Sequence, residues 1–528
     1  MNKKIMKLPD SVANRIAAGE VIERPASMLK ELLENAIDSK ADNIEVYTQE
    51  SGIKSMIVED NGEGIKFEEL PLAISHHATS KIHSIEDLDS INTLGFRGEA
   101  LASISDVTNL EIISKNANEN NGGKIIVEGG KIIEHKPAAS SKGTKIIAKN
   151  LFFNIPARYK FLKHTSREFF LMKEVFDMEA LVQPNISMRL TNNGRLAISY
   201  AKAKSLKDRI ENYLNDNDIF SNLIEINIEK ENISIYGLFS NSKISQSIKK
   251  NNFIFLNNRP IENRAISFAI KNAYSNAIPK ERYPFYFLYI NIDCNKVDVN
   301  VHPSKKEVRI KNERETSAMI YNEIFNKINE GSYFSSVNIE TDIESTPIFK
   351  IQNNENYANQ YNNYNNTKEY YNSYQIKEFS KFAPERDLRE FGEYTKAVGQ
   401  IFSSYIVAER GEEMYIIDQH AAYERLNYER IYKTLTKGKL EYEKLLVPCE
   451  IEYRDYEIDI LNSHKETIEA IGIKFETNSK NSIIIEEVPI YMPKNQKIEK
   501  MIKDILDIYI SKGENNSLEK LIKHTCSS

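Results

Sequence analysis

Three short clusters near the start of the chain combine side chains that can move a proton, hold a cation and cradle a phosphate. The first is Glu31-(x)3-Asn35-(x)2-Asp38, two carboxylates and a carboxamide. At about 100° per residue they fall within about 60° of one another on a helix, so a general base and a neutral metal ligand would share one face. The second, Asp60-x-Gly62-x-Gly64, sets a carboxylate before two glycines that allow φ > 0 and a close backbone approach to a ligand. The third joins Ala78-Thr79-Ser80-Lys81 to Gly95-Phe96-Arg97-Gly98-Glu99-Ala100-Leu101, two glycines just ahead of a helical pattern, where exposed amides can bind phosphate. Taken singly, each also has a plain reading as a solvated helix face, a turn or a helix cap.

The elements that must position these groups are legible around them. Pro25 suits a first helical position, and Leu29, Leu32, Leu33, Ala36 and Ile37 recur at helical spacing nearly opposite the Glu31 face, which predicts a helix from Ala26 to Ser39. Lys54 to Glu59 reads as a strand that delivers Asp60 at its end. Farther on, Val297 to His302 alternates like a half-buried strand and breaks at Pro303-Ser304, leaving Lys305 on a loop. Val398 to Ala408 reads as a strand. Tyr415-Ile416-Ile417 reads as another, feeding Asp418-Gln419-His420-Ala421-Ala422-Tyr423-Glu424 onto a helix. There His420 and Glu424, four apart, share a face that suits a divalent metal or a plain surface pair.

The chain has 528 residues, 28% charged and 41% hydrophobic, with a formal net charge of −6. At roughly 100–200 residues per domain this predicts about three domains and excludes a fibrous or wholly disordered chain. Cys294, Cys449 and Cys526 are too few and too scattered for a disulfide framework, which points to a reduced compartment. No signal-peptide core and no apolar run of roughly 20 residues is present, so a soluble cytoplasmic protein with no membrane partner is expected. Between Ile351 and Gln375 there are nine Asn and six Tyr in 25 residues, without Val, Leu, Phe or Met, which reads as a linker. Upstream of it helices and strands mix without a regular repeat, which favours an α+β fold.

In their joint order, the three clusters with Gly143-Thr144 resemble the nucleotide site of the GHKL (Bergerat-type) ATPase superfamily shared by gyrase, heat-shock-ninety chaperones, sensor histidine kinases and MutL. Ile16-Ala17-Ala18-Gly19-Glu20-Val21-Ile22-Glu23-Arg24-Pro25, His77-Ala78-Thr79-Ser80-Lys81 and Phe152-Phe153-Asn154-Ile155-Pro156-Ala157-Arg158 resemble signatures of the MutL family of DNA mismatch repair proteins. That resemblance implies a GHKL ATPase α/β sandwich over residues 1–205 and a second α+β transducer domain over 206–335. An Asn/Tyr-rich flexible linker over 336–390 and a C-terminal α/β dimerisation and endonuclease-like domain over 391–528 would follow. Glu31 would be the general base, Asn35 a Mg²⁺ ligand and Asp60 the acceptor for the adenine amino group. Gly64, Ala78, Thr79, Ser80, Lys81, Thr144 and the run Gly95, Phe96, Arg97, Gly98, Glu99, Ala100 and Leu101 would surround ATP, with Lys305 reaching the γ-phosphate.

At the other end, the Asp418 string resembles the metal-binding motif of endonuclease-active family members, so Asp418, His420, Glu424 and Cys526 would hold Zn²⁺ or Mn²⁺. The later Cys-Pro-His element of those proteins is absent, which implies a truncated C-terminus and leaves two readings open. One is a clamp that nicks DNA; the other is a non-nicking ATP-switched scaffold that recruits other repair proteins. The resemblance further implies a homodimer, the mismatch-recognition protein MutS as partner, non-specific double- and single-stranded DNA binding through the basic stretch Pro156 to Lys173, and a bacterial, nucleoid-associated setting. Glu443-Lys444-Leu445-Leu446-Val447-Pro448 resembles the family's sliding-clamp motif, or is a core strand. A chaperone or kinase of the same superfamily is the remaining rival, against which the signatures outside the nucleotide site argue.

Overall fold

The computed structural model describes residues 18–19, 21–76, 78–79, 99–230, 232–275, 277–279, 282–293, 297–298, 309–310, 312–329, 396–401, 405–411, 413–436, 442–470, 472–478, 481–490 and 498–512. They fall into two compact units, residues 1–331 with 430–528, and residues 332–429.

In the first unit, α1 (Pro25–Asp38) begins at its proline, and the helical spacing of Met28, Leu29, Leu32, Leu33 and Ala36 turns those residues into a fully buried stripe. The chain continues through β1 (Asn43–Gln49), β2 (Ser55–Asp60), α2 (Ala100–Val107), β3 (Asn109–Lys115), β4 (Gly122–Glu128), β5 (Lys131–Ala138), β6 (Gly143–Lys149), α3 (Thr165–Val182), β7 (Ser187–Asn192) and β8 (Arg195–Tyr200). The strands form one eight-stranded sheet in the order β5-β4-β3-β6-β2-β1-β7-β8, antiparallel except for the β1/β7 pair. Burial alternates along β1, β2, β3 and β6, so Ile44, Val46, Met56, Val58, Leu110, Ile112, Ile146 and Ala148 face the core shared with α1 and α3. Truncating one leucine of the α1 stripe to Ala would cost about 2–5 kcal/mol and loosen the seat of Glu31.

A second layer follows in the same unit: α4 (Leu206–Leu214), β9 (Leu223–Lys230), β10 (Ile233–Ser240), β11 (Asn252–Leu256), β12 (Arg259–Pro260), α5 (Arg264–Ala273), β13 (Tyr286–Ile292), β14 (Val297–Asp298), β15 (Arg309–Ile310) and α6 (Glu313–Asn329). Its sheet runs β12-β11-β13-β10-β9 and shares a core with α5 and α6 that includes Ile226, Ile235, Ile266, Ile270, Leu288, Ile320 and Ile324. Fully buried Arg209 of α4 joins the two layers, its Nη2 donating to the carbonyls of Gln183, Pro184 and Ile186 at 3.0, 2.9 and 2.6 Å. The Tyr289 hydroxyl adds a bond to the Leu181 carbonyl at 3.0 Å.

In the second unit, β16 (Lys396–Ile401), β17 (Tyr405–Arg410) and β18 (Glu413–Asp418) form an antiparallel sheet, and β18 leads into α7 (Gln419–Thr436), which continues into the first unit. The single strand expected over Val398 to Ala408 is therefore two: Ile401 pairs with Tyr405 and the chain reverses between them. The sequence carries only a weak sign of the break, the Ser403-Ser404 step between apolar stretches, which a single-strand reading passes over. Back in the first unit, β19 (Tyr442–Glu452), α8 (Asp455–Ser463), α9 (Lys465–Ala470), β20 (Glu476–Asn478), β21 (Ser482–Pro489) and α10 (Ile498–Lys512) complete the described chain, with the sheet ordered β19-β21-β20. Among the described residues no helix is long and apolar enough to cross a membrane.

Candidate functional site

Asp60 ends β2, where it is paired across the sheet with Thr144 of β6 and with Ile44 of β1. Burial pushes its carboxyl up to about 6, against the pull of the Gly62 amide, the Thr144 backbone and the Ser39 hydroxyl. The Gly62 N–H donates to Asp60 Oδ1 at 2.8 Å, and the Ser39 hydroxyl lies 3.4 Å from the same oxygen while donating to the Ala36 carbonyl at 2.8 Å. Two of the expected ATP residues, Asp60 and Thr144, are thus neighbours across one strand pair.

The turn after Asp60 is fastened on every side. Asn61 Oδ1 accepts the amides of Asp42 and Asn43, both at 3.0 Å, and its Nδ2 donates to Asp42 Oδ1 at 2.7 Å. The Glu63 amide donates to the Ser39 carbonyl at 2.8 Å, which bonds the turn to the residue capping α1. Gly64 has φ of +72°, and a Cβ there would stand 2.1 Å from the Lys115 carbonyl, so no other residue fits. Fully buried Ser114 joins the neighbouring segments: its hydroxyl is 3.0 Å from the Gly143 carbonyl, 2.9 Å from the Thr144 hydroxyl and 2.8 Å from the Ile65 amide that donates to it. Neither Asn61 nor Ser114 stands out in the sequence, because their partners come from other strands.

On α1, Glu31, Asn35 and Asp38 are all half-buried, while Glu34 between them is buried. A lysine and two carboxylates underlie this face. Lys30 pairs with Glu34 one turn on, and Glu179 of α3, 1% exposed, feels the charges of Glu34, Lys30, Glu31 and Asp38. Burial first, and Glu34 second, push the Glu179 carboxyl up to about 8, whereas Lys30 stays protonated above its usual range because Glu34, Glu31 and Glu179 outweigh its desolvation. Glu34 Oε2 and Glu179 Oε2 are buried without a hydrogen-bond partner. The Lys30-Glu34 spacing was available in the sequence; Glu179 had no local signal.

Two of the three MutL-like signatures, Ile16 to Pro25 and Phe152 to Arg158, meet. Phe152, buried in a left-handed conformation with φ of +62°, donates its amide to the Val107 carbonyl at 2.8 Å, and Asn154 Nδ2 donates to the Asp106 carbonyl at 2.7 Å, so the motif secures the end of α2. Such a conformation is costly for an aromatic residue and persists only where its surroundings over-determine it. Arg158 in turn donates from Nη1 to the Gly19 carbonyl. At the start of α2, the Glu99 carbonyl accepts the Ser103 amide at 2.8 Å, and Leu101 packs against the main core.

Ala78 and Thr79 are half-buried, as are Ala100 and Leu101. Ser80, Lys81, Gly95, Phe96, Arg97, Gly98, Lys305 and Cys526, and the linker over 336–390, lie outside the described residues. In sequence Lys305 falls between β14 and β15, which pair antiparallel, Val297 with Ile310 and Asp298 with Arg309. Asp418 is exposed at the junction of β18 and α7 and accepts the Ala421 amide at 3.2 Å, which delivers the motif from strand to helix. The side chains of His420 and Glu424 lie outside the description, and among the described residues no cluster of three or more His, Cys, Asp or Glu could hold a metal ion. Glu443 to Pro448 lies in β19 across a break in its register with β21 between Lys444 and Cys449, with Val447 78% exposed. In the basic stretch, Arg158, Arg167 and Lys173 all have intrachain partners, leaving Lys160 and Lys163 exposed.

Three family descriptions match successive parts of the chain. "Histidine kinase-, DNA gyrase B-, and HSP90-like ATPase" covers residues 23–150, "DNA mismatch repair protein, C-terminal domain" covers 212–329, and "MutL C terminal dimerisation domain" covers 398–528. The protein named "DNA mismatch repair protein MutL" from Caldanaerobacter subterraneus subsp. tengcongensis is 34% identical over 501 residues, 93% of this chain and 84% of that one. The protein of the same name from Dictyoglomus turgidum is 35% identical over 527 residues, 98% and 90% of the two chains. A crystal structure described as the N-terminal domain of a DNA repair protein superposes with a TM-score of 0.52 at 25% identity, covering 60% of this chain and 98% of its own.

Proposed function

Because this chain belongs to the MutL family of DNA mismatch repair proteins, with a GHKL-type ATPase domain and a MutL C-terminal dimerisation domain, we propose that it is an ATP-driven dimeric clamp coupling mismatch recognition to repair. The observation that carries the reading is the pair of contacts at Ser39, the Glu63 amide bonded to its carbonyl and the approach of its hydroxyl to Asp60 Oδ1. They make the helix bearing Glu31 and Asn35 and the strand end bearing Asp60 parts of one rigid frame.

The donor set suits a magnesium nucleotide. Asp60 offers a carboxylate to an adenine amino group, and backbone rather than bulky side chains surrounds it at Gly62, Gly64 and Gly143. Asn35 would give a neutral oxygen to Mg²⁺, which typically keeps several waters and takes the rest of its shell from phosphates and one or two protein oxygens. When bound, that ion offsets charge on the phosphates. Glu31 accepts the proton of the attacking water as its oxygen bonds the γ-phosphorus and the bond to the bridging oxygen breaks, releasing ADP and phosphate. Lys305 contacts the γ-phosphate only while it is present, a contact that differs between the two states and so can drive a conformational shift.

A homodimer is supported by an uncovered apolar face on the β16-β17-β18 sheet. Cross-strand register puts Ile401 with Tyr405 and aligns Met414 and Ile416 on that side, and all four are exposed. MutS as partner, non-specific DNA binding, a cytoplasmic setting, sliding-clamp contact through Glu443 to Pro448, and metal-dependent nicking through Asp418, His420, Glu424 and Cys526 with Zn²⁺ or Mn²⁺ follow from the family reading. The second reading is the scaffold that does not nick. Plasmid nicking with Mn²⁺, compared with Asp418→Asn, separates them. The ATPase assignment is tested by Glu31→Ala, which should bind a non-hydrolysable ATP mimic with parental affinity and hydrolyse no ATP; turnover at the parental rate would remove Glu31 from the reaction.

A further inference from the structure

The region from β19 to α10 shares an apolar core with α3, through Tyr456, Ile460 and Tyr509 beside Phe169 and Phe170, and around that core it meets the ATPase and transducer layers through charges of opposite sign. Buried Arg282 donates from Nη1 to Asp504 Oδ2 of α10 at 2.9 Å, while the Ser247 hydroxyl lies 3.4 Å from Asp504 Oδ1. Lys250 Nζ lies 3.8 Å from Glu457 Oε1 of α8; burial works against the lysine charge, and Asp507 and Glu457 more than offset it. Arg195 of β8 pairs with Asp455 at 3.0 Å, and Arg167 of α3 donates to the Ile510 carbonyl at 2.8 Å. At the centre, the rings of Phe169 and Tyr456 stand 5.1 Å apart.

Four cations drawn from α3, β8 and the segments that precede β11 and β13 are therefore taken up by carboxylates and one carbonyl on α8 and α10. Carboxylates spaced along a helix face offer a cationic surface the same chemistry as phosphates along a nucleic acid backbone. Arg167 belongs to the basic stretch that the family reading gives to DNA, yet here its guanidinium is already engaged. Of the pairs, Arg195-Asp455 is exposed and hence weak, and Lys250-Glu457 is too long for a hydrogen bond, so a dense external polyanion can compete with them.

We propose that residues 442–512 are a built-in occupant of the DNA-binding surface: Asp455, Glu457, Asp504 and Asp507 lie against Arg195, Lys250 and Arg282, and the Ile510 carbonyl against Arg167, until duplex DNA displaces them. This rests on the reading that the N-terminal part binds DNA. The device makes DNA affinity depend on how firmly the module is docked, and it adds the salt sensitivity of the internal ion pairs to that of the phosphate contacts.

The test uses the full chain. Zero-length carbodiimide coupling should join Lys250 to Glu457, detected as a linked peptide by mass spectrometry, and saturating random-sequence duplex or heparin should suppress the product. A Ser247→Cys/Asp504→Cys variant, oxidised to lock the module, should bind the duplex at least about five-fold more weakly than after reduction in a fluorescence anisotropy titration. A linked peptide that persists undiminished at saturating duplex, equal affinities of locked and reduced protein, or no linked peptide in the free chain would each overturn the proposal. Suppression by heparin with no duplex binding at low salt would instead overturn the DNA reading and sustain a polyanion-displaced dock.

Discussion

The Ser39 carbonyl accepts the Glu63 amide at 2.8 Å, so the residue that caps α1 also holds the turn that follows Asp60. The helix bearing Glu31 and the strand end bearing Asp60 are locked together at this point, and Gly62 stands inside the junction. A Cβ at Gly62 would lie 1.9 Å from Ser39 Oγ and 2.6 Å from the Ser39 carbonyl oxygen. Gly62→Ala must therefore push the turn from the helix, at a cost of about 1–3 kcal/mol. Calorimetry should find affinity for a non-hydrolysable ATP mimic reduced at least about ten-fold with the fold intact; parental affinity would uncouple this junction from nucleotide binding.

Asp60→Asn should move stability and binding in opposite directions. Burial raises the folded-state pKa from 3.8 to about 6, so the ionised carboxylate lowers stability above about pH 6, and that cost is relieved as pH falls toward the unfolded value. The asparagine variant lacks the cost: thermal melts should show it about 1–3 kcal/mol more stable at pH 7.5, with the gap closing below pH 6. Nucleotide affinity should fall about 10–100-fold at pH 7.5, because an amide replaces the charged acceptor. A variant that binds ATP as well as the parent would remove Asp60 from base recognition.

What could be read in the sequence was what local periodicity carries. The predicted helix ending at Ser39 is found as Pro25–Asp38, the strand ending at Glu59 runs to Asp60, and the strand before Asp418 does hand over to a helix. Each is specified by side chains within a few residues of one another. Ser114, Asn61 and Glu179 act through partners on other elements, and the left-handed backbone of Phe152 is imposed by bonds to Val107 and its neighbours, so no window of sequence shows them. The division of Val398 to Ala408 into two strands was nearly hidden for another reason, since only the short Ser403-Ser404 step marks it between apolar stretches of strand-forming residues.

Glu179 should cost little stability near pH 4.5 and be a full liability at pH 9. Its folded-state pKa is raised from 4.5 to about 8, so its ionisation lowers stability above about pH 8, a loss recovered as pH falls toward 4.5. Glu179→Gln should melt within about 0.5 kcal/mol of the parent near pH 4.5, be about 1–2 kcal/mol more stable at pH 6, and gain further by pH 9. Lys30→Met, which takes the cation from Glu34 and Glu179, should cost about 3–5 kcal/mol at pH 8. Parallel stability-against-pH curves for parent and Glu179→Gln would show that the carboxyl is not held neutral.

The sheet face bearing Ile401, Tyr405, Met414 and Ile416 predicts the state of assembly. Ile416 is 62% exposed and Met414 70%, two residues apart on β18, and Ile416 lies opposite Val407 in the register. An exposed apolar patch of this kind, edged on the same face by Glu409 and Asp418, is a liability in a monomer and is stabilised by burial at roughly 25 cal/mol per Å² against a second copy. An ammonium placed there is desolvated without a partner on association, so Ile416→Lys should leave each chain folded while shifting the dimer toward monomer by at least about ten-fold in dissociation constant. Light scattering across a dilution series reads this directly, with circular dichroism to check the fold. A variant that stays dimeric at the parental dilution limit would locate the dimer contact on another face.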